Sequence, residues 1–245
     1  MNPTSLISIV FDTETIPDVD LLKTVVTGTY DSEDALLAAA SEQIAQNKAG
    51  FLPPMFHRMV SWAALITDQQ GKPMGKASWV GENEKEGLKQ LFEIFDQYPT
   101  FTAVHHNGRG FDLPMLTYRA MRHAIPLPVY MTKYEFKNRY SRINIDIQEE
   151  LSQYGASSWP KLKHLGALVG IPVKTVAEGN QVLEMWRAGE LKRIELYCYE
   201  DVLGTYLIWL TLRLINSEIT AEQFSDLRAR ARRKLEEVGY TLKDL

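Results

Sequence analysis

The 245-residue chain is 45% apolar and 24% charged, an ordinary globular composition that excludes a collagenous, low-complexity or disordered protein. Its net charge of −4 excludes a basic surface of the kind that coats long duplexes through many phosphate contacts. A lone cysteine, Cys198, excludes an internal disulfide and fits a reducing compartment.

The first apolar run breaks at Asp12 and has no basic residues before it, so no signal peptide is expected. The longest uncharged apolar stretch, 202–212, has 11 residues, against ~20 needed to cross a bilayer. A soluble, cytoplasmic protein with no membrane contact is the expectation.

In chain order, 6–11 is nearly continuous in apolar, β-branched residues and predicts a strand buried on both faces. Strands at 59–67 and 76–80 follow, separated by the turn residues Gly71 and Pro73. Leu88, Leu91, Phe92 and Phe95 share one helical face, with Asn83 and Glu86 spaced as a capping box. A fourth strand at 101–105 closes on Asn107-Gly108-Arg109-Gly110, a helix is expected over 112–122, and 143–147 is a fifth strand.

Beyond that point the pattern is helical. Leu162, Leu165, Leu168 and Val169 share a face that Gly170 and Pro172 end. A turn or two at 182–186 and a long, mostly buried helix over 191–215 follow. Thr220 and Gln223 open a surface helix reaching about 240, with Phe224, Leu227 and Leu235 on one side. Residues 16–57, with a helical stretch at 33–46 and the loop signal Pro53-Pro54, form an insertion between the first two strands. The whole, 1–245, is expected as one α/β domain with helices on both faces of the sheet.

The informative residues are acids on apolar elements. Asp12 and Glu14 end the first predicted strand two residues apart, so they share a face. Asp112 begins the helix after the fourth strand. Asp201 sits within the long helix, with Tyr197 one turn before it on the same side. Singly, each has a plain reading: polar strand-end residues, a helix cap at Asp112, a buried ion pair for Asp201, a core aromatic for Tyr197. Jointly, ligands bind at the carboxyl ends of neighbouring strands in such sheets, and four acids would converge there. Clustered carboxylates need neutralising, and hard divalent cations, Mg²⁺ or Mn²⁺, do this with oxygen ligands. Thiolate-held zinc is not supported, because there is one cysteine, and the adjacent His105 and His106 face opposite ways. A carboxylate site holding two such ions argues for displacement at phosphorus.

Asp12-x-Glu14, Asn107-x3-Phe111-Asp112 and Tyr197-x3-Asp201 together resemble the three motifs of the DEDD 3′–5′ exonucleases, the DnaQ-like group of the ribonuclease-H-like superfamily. The second and third motifs resemble the proofreading domain of family-B DNA polymerases, and above all the stand-alone predicted polymerase-B-like 3′–5′ exonucleases. The histidine subclass would place His at the position of Leu196, so the tyrosine subclass is indicated. The resemblance spans 12–201. It implies a ribonuclease-H-like mixed five-stranded sheet with the second strand antiparallel to the rest and helices on both faces. It further implies that Asp12 bridges two divalent ions, Mg²⁺ or Mn²⁺, that Glu14 and Asp201 ligate the first, and that Asp112 supports the second. Tyr197 would orient the attacking water. Asp146 either caps a helix, the favoured reading, or touches the site. Phe111 either packs in the core, again favoured, or stacks a base. Asn107 either holds its turn or reaches the strand being degraded.

Candidate substrate contacts are Thr13, Asn107, Phe111, Lys137 and Arg139. The last two belong to a basic segment in which Arg122, Lys133, Lys137, Arg139 and Arg142 outnumber Glu135 and interleave with Tyr130, Tyr134, Phe136 and Tyr140. Basic residues alternating with aromatics suit a single strand, unless the aromatics pack inward. A second cluster, Arg228, Arg230, Arg232, Arg233 and Lys234, reads as a solvated helix face; Lys161, Lys163 and His164 are weaker candidates. The expected activity is metal-dependent hydrolysis from the 3′ end of single-stranded nucleic acid, DNA favoured, releasing nucleoside 5′-monophosphates. RNA trimming by the same chemistry and a silent nucleic-acid-binding module are the alternatives. With no polymerase domain in the sequence, a proofreading role would need a polymerase or repair partner, which the sequence does not identify.

Overall fold

β1, Ile7–Pro17, is the central strand of a five-stranded sheet in this computed structural model, which describes residues 7–45, 50–171 and 181–237. The strand order is β3-β2-β1-β4-β5. β2, His57–Asp68, runs antiparallel to β1 and to β3, Pro73–Val80. β4, Thr102–His105, and β5, Asn144–Asp146, run parallel to β1. β2 alone therefore opposes the others, as the resemblance implies.

A central strand in a sheet covered on both sides must be apolar on both faces. β1 meets this by parity: Ile9 and Phe11 enter one core, Val10 the other. On the first side lie α3, Glu84–Gln97, and α4, Asp112–His123, with Leu88, Leu91, Phe92, Phe95, Met115 and Leu116 buried. The Asn83 side chain accepts from the Glu86 N–H at 3.3 Å, the predicted cap of α3. On the second side lie α8, Leu162–Val169, α10, Leu191–Ile215, and α11, Ala221–Glu237. α11 opens with the reciprocal box foreseen: Gln223 N–H donates to Thr220 Oγ1 at 3.2 Å, and Thr220 N–H to Gln223 Oε1 at 2.8 Å.

Several expectations are corrected. β1 does not end at its acids but runs on to Pro17, so Asp12 and Glu14 lie inside the strand. Their polarity broke the apolar pattern without breaking the strand, because their side of it faces a cleft rather than a core. The insertion is accordingly shorter, 18–56. It holds α1, Val19–Val25, α2, Glu33–Ile44, and a 3-10 turn, Pro54–Phe56, around a satellite core of Leu22, Val26, Leu36, Ala40, Leu52 and Phe56. Short helices that the periodicity did not show are α5, Val129–Thr132, α6, Tyr134–Lys137, and α7, Ile147–Leu151. α9, Val182–Arg187, agrees with its prediction. On α8, Leu162 and Leu165 are buried but Leu168 is 80% exposed, too far round the helix to reach the sheet. Leu6, Gln46, Pro172, the end of the last helix near 240 and the side chains of Lys234 and Leu235 lie outside the described residues.

Arg119 ties the insertion to the domain. Its guanidinium grips both oxygens of Glu84, at 2.8 and 2.6 Å, and donates to Asp18 at 2.5 Å. Glu84 also accepts the Met59 N–H at 2.6 Å, so one buried knot joins the insertion, β2, α3 and α4. Among the described residues, no helix is long and apolar enough to cross a membrane.

Candidate active site

Asp12 and Glu14 share the parity of Val10 and so project toward α10, which packs across β1 and β2. At Glu14 the ladder is irregular: Glu14 pairs with Ser61 and Thr15 with Met59, leaving Val60 as an extra residue in β2. Such bulges re-aim a neighbouring side chain, and they favour sites like this one.

Asp112 arrives from the neighbouring strand through a tight turn. Asn107 takes a left-handed φ of 63°, which Asn tolerates better than most residues. Its carbonyl accepts from the N–H groups of Gly110 and Phe111, both at 3.0 Å. Asp146 clamps the turn from β5, accepting from Asn107 N–H at 2.9 Å and Arg109 N–H at 3.0 Å while capping α7 through Gln148 and Glu149 N–H. Burial alone would raise its carboxyl; His105 and those backbone donors outweigh burial and hold it well below the ordinary range. Asp146 is thus a cap and a clamp, the favoured sequence reading. Asp112 is no cap: Phe111 occupies that position, and Asp112 opens the first turn of α4. Its Oδ1 accepts both the backbone N–H and the hydroxyl of Thr13 on β1. Burial still leaves the Asp112 carboxyl above its ordinary value.

α10 supplies the rest. Tyr197, 1% exposed, and Asp201, one turn on, face the two β1 acids. Burial, then the charges of Glu14, Asp201 and Asp12, push the phenol far above its ordinary value. Cys198 lies within the same group. Its thiol donates to the Asp12 carbonyl at 3.4 Å, and burial followed by the charges of Asp12, Glu14, Asp201 and Asp112 raises it strongly. One sulfur atom feeling all four carboxylates is a measure of their convergence. The sequence reading missed Cys198 here, although its i, i+3 spacing to Asp201 was a usable signal.

Asp12, Glu14, Asp112, Tyr197 and Asp201 all line one open cleft of about 540 Å³. Asp12, Glu14 and Cys198 offer ligand atoms within 4.8 Å of one another, and carboxylate oxygens dominate the set. Such donors suit a hard divalent cation.

The opposite wall is aromatic and partly comes from the insertion. Phe51, 54% exposed, stacks on His57 with ring centroids 5.1 Å apart, and Phe111 meets Phe51 at 5.5 Å and His57 at 5.1 Å. Phe111 is therefore not in the core; it is half-buried on the cleft wall, because α4 begins one residue later and turns the ring outward. His57 donates from Nε2 to the Leu52 carbonyl at 3.2 Å and accepts at Nδ1 from the Thr15 hydroxyl at 3.1 Å. Burial pushes its imidazole down to about 4. No sequence signal marked Phe51 or His57, since only the tertiary fold brings the insertion back to β1.

Thr13 and Asn107 line the cleft as well. Lys137 and Arg139 do not. The Lys137 carbonyl accepts from Arg109 at 3.4 Å, and Arg139 pairs with Glu149 at 2.6 Å. Their segment divides: Tyr130 and Phe136 pack inward on Phe101, whereas Tyr134 and Tyr140 are exposed. Lys161 lines the cleft, and on α11 Arg230 pairs with Asp226, as on a solvated face.

A family model described as a predicted 3′–5′ exonuclease related to the exonuclease domain of PolB matches residues 49–243. That span holds Asp112, Tyr197 and Asp201 and begins after Asp12 and Glu14. A DNA polymerase of Archaeoglobus fulgidus is 23% identical over 145 residues, 56% of this chain and 19% of the polymerase. The fold is similar to that of the family B DNA polymerase of the hyperthermophilic archaeon Pyrobaculum calidifontis, with a TM-score of 0.56 and 16% identity. That likeness covers 85% of this chain and 24% of the polymerase. It is also similar to an apo exonuclease I, with a TM-score of 0.50 and 16% identity over 96% of this chain and 47% of the other. The chain thus spans less than half the length of each of these proteins.

Proposed function

The chain belongs to the family of predicted 3′–5′ exonucleases related to the exonuclease domain of PolB, and on that premise we propose that its cleft hydrolyses the terminal phosphodiester of a single strand, DNA by preference. The observation that carries the reading is the convergence of Asp12, Glu14, Asp112 and Asp201 beside Tyr197 in one cleft.

In this reading Asp12, Glu14 and Asp201 would hold one divalent cation, and Asp12 with Asp112 would support a second, Mg²⁺ or Mn²⁺. Such ions supply Lewis-acid polarisation of the phosphate and offset the charge that develops in an in-line displacement. Asp112 is kept in place by the two Thr13 donors, so its carboxylate needs little reorganisation during the reaction. Tyr197, one turn before Asp201 on α10, orients the attacking water by hydrogen bonding. The water oxygen bonds to phosphorus as the bond from phosphorus to the 3′ oxygen of the preceding nucleotide breaks. The water gives up one proton to solvent in the open cleft, the 3′ oxygen takes one up from solvent and leaves as a 3′-hydroxyl, and a nucleoside 5′-monophosphate is released. Thr13, Asn107 and Phe111 line the space for the terminal nucleotide.

The test is a gel assay with end-labelled single-stranded DNA and RNA of equal length in Mg²⁺, Mn²⁺ or chelator. Stepwise shortening with either metal, lost in chelator and in Asp12→Ala, is the expected result. Shortening that survives both would remove the assigned site, and faster loss of RNA would replace the preferred substrate.

A further inference from the structure

Two exposed tyrosines, Tyr140 and Tyr154, meet at a turn with an unusual backbone, and the exposed Trp159 packs on the same turn just before the cleft residue Lys161. Tyr140 and Tyr154 touch edge to face with centroids 4.9 Å apart, and the Arg139 guanidinium lies 5.7 Å from the Tyr154 ring. Trp159 folds over Gly155, where an added Cβ would come within 3.1 Å of the indole. Trp159 is 50% and Tyr140 68% exposed.

Gln153, Tyr154 and Gly155 take successive left-handed φ values of 52°, 56° and 92°. For the two non-glycine residues this conformation carries a steric cost, because Cβ crowds the following carbonyl oxygen. Buried Ser152 holds it, its hydroxyl accepting from Gly155 N–H at 3.1 Å, while Tyr154 N–H donates to the Glu149 carbonyl at 2.7 Å. The cost is met to point Tyr154 outward, away from the apolar cores that take Tyr130 and Phe136.

The turn is also fastened to the cleft. The Pro160 carbonyl accepts from His106 Nε2 at 3.0 Å and from Gln148 Nε2 at 3.1 Å, and both side chains line the cleft, as does Lys161. Trp159 stands two residues before Lys161, at most about 7 Å away along the chain. An aromatic face with arginine and lysine beside it suits unstacked bases on a charged backbone, because every base has a π-face. Single exposed aromatics are ordinary, but a contiguous group at the rim of a cleft marks a contact surface.

We propose that Tyr140, Tyr154 and Trp159 form a stacking platform for the nucleotides upstream of the one being removed, so that the enzyme holds an extended single strand rather than its end alone. This rests on the nuclease reading of the adjoining cleft and adds a second binding region to it. Lys161, two residues after Trp159 and in the cleft lining, is the cation placed to meet the strand's phosphates.

The experiment compares Trp159→Ala and Tyr140→Ala with the wild type on thymidine dinucleotide and on an oligothymidylate of about a dozen nucleotides. Each variant should raise KM for the long strand about tenfold, leave its kcat unchanged, and leave KM for the dinucleotide unchanged. A parallel titration in chelator follows tryptophan fluorescence in the wild type and in Trp159→Ala, the difference between them being the Trp159 signal among five tryptophans, which the long strand should quench. Equal KM ratios in variants and wild type, or no quenching, would overturn the platform. If the wild type releases no nucleotide, the nuclease reading fails, and the chelator titration still decides the platform: quenching supports it and its absence sinks it. Using both variants guards against one that misfolds, and circular dichroism checks each.

Discussion

Thr13 donates twice to one oxygen of Asp112, from its backbone and from its hydroxyl, and so couples the middle of β1 to the first turn of α4. Thr13→Val keeps shape and backbone but removes the hydroxyl. A lost bond to a buried carboxylate costs about 1.5–3 kcal/mol. Urea unfolding should show a destabilisation of that order, and kcat should fall about tenfold for the same loss of positioning. An unchanged kcat would mean the backbone N–H suffices to hold the carboxylate.

Four carboxylates around one buried thiol repel one another, a cost that a bound cation would offset. Mn²⁺ or Mg²⁺ at a hundred times its dissociation constant should therefore stabilise the protein by about 2.7 kcal/mol, read as a rise in Tm. Asp201→Asn should abolish that rise. Without metal it should melt no lower than the wild type, since one repulsive charge is gone. Nuclease activity should fall at least a hundredfold.

Arg119 neutralises Asp18 and Glu84 in a buried setting. Arg119→Met leaves Asp18 with only the looser Arg122 at 3.7 Å and Glu84 with only His123 at 2.7 Å, a loss of about 3 kcal/mol that urea denaturation will measure. Burial would raise the Asp18 carboxyl, but Leu21 N–H and then Arg119 hold it below 3.8. Its stabilising contribution is therefore complete above that pH and is lost as pH falls through the folded value. In the Met variant this acid-limb dependence should weaken.

His57 gives a pH dependence of the same sign from a different cause, a buried ring kept neutral rather than a carboxylate kept charged. Its imidazole titrates near 4 in the folded chain, against 6.5 when unfolded. Between those values the unfolded state binds the extra proton, so stability declines as pH drops from about 6.5 towards 4. An NMR titration should find the His57 ring neutral at pH 5, and His57→Gln should flatten the stability profile in that window. A ring that titrates near 6.5 would show the wall to be more open to water than its packing indicates.

The parts of the site legible in the sequence are those that local geometry carries. Period-two alternation put Asp12 and Glu14 on the Val10 side of β1, and helical spacing put Tyr197 beside Asp201. The strand count and the orientation of β2 followed from the motif resemblance, whereas the full strand order is read from the fold. What stayed hidden depends on distant segments meeting. Phe51 and His57 become a wall only when the insertion folds back, and Arg119 looks like any charged helix residue until Asp18 and Glu84 surround it. The core placement of Phe111 failed for a related reason: a ring at a helix boundary can turn either way, and the turn clamped by Asp146 chose the cleft. The basic, aromatic-rich segment was read as one unit, yet its aromatics divide between the core and the surface.

Pro17 and His57, the residues flanking the insertion, are direct partners across β1 and β2. The chain departs and returns at a single rung of the ladder, as in a hairpin whose two-residue turn has been exchanged for a helical cassette. Such a cassette can lengthen, shrink or change sequence over evolution without displacing the strands that bear the carboxylates. The strands that bear the carboxylates are thereby insulated from the part of the wall that Phe51 supplies, and a graft of another loop at that rung would need new counter-ions for Arg119 and Arg187.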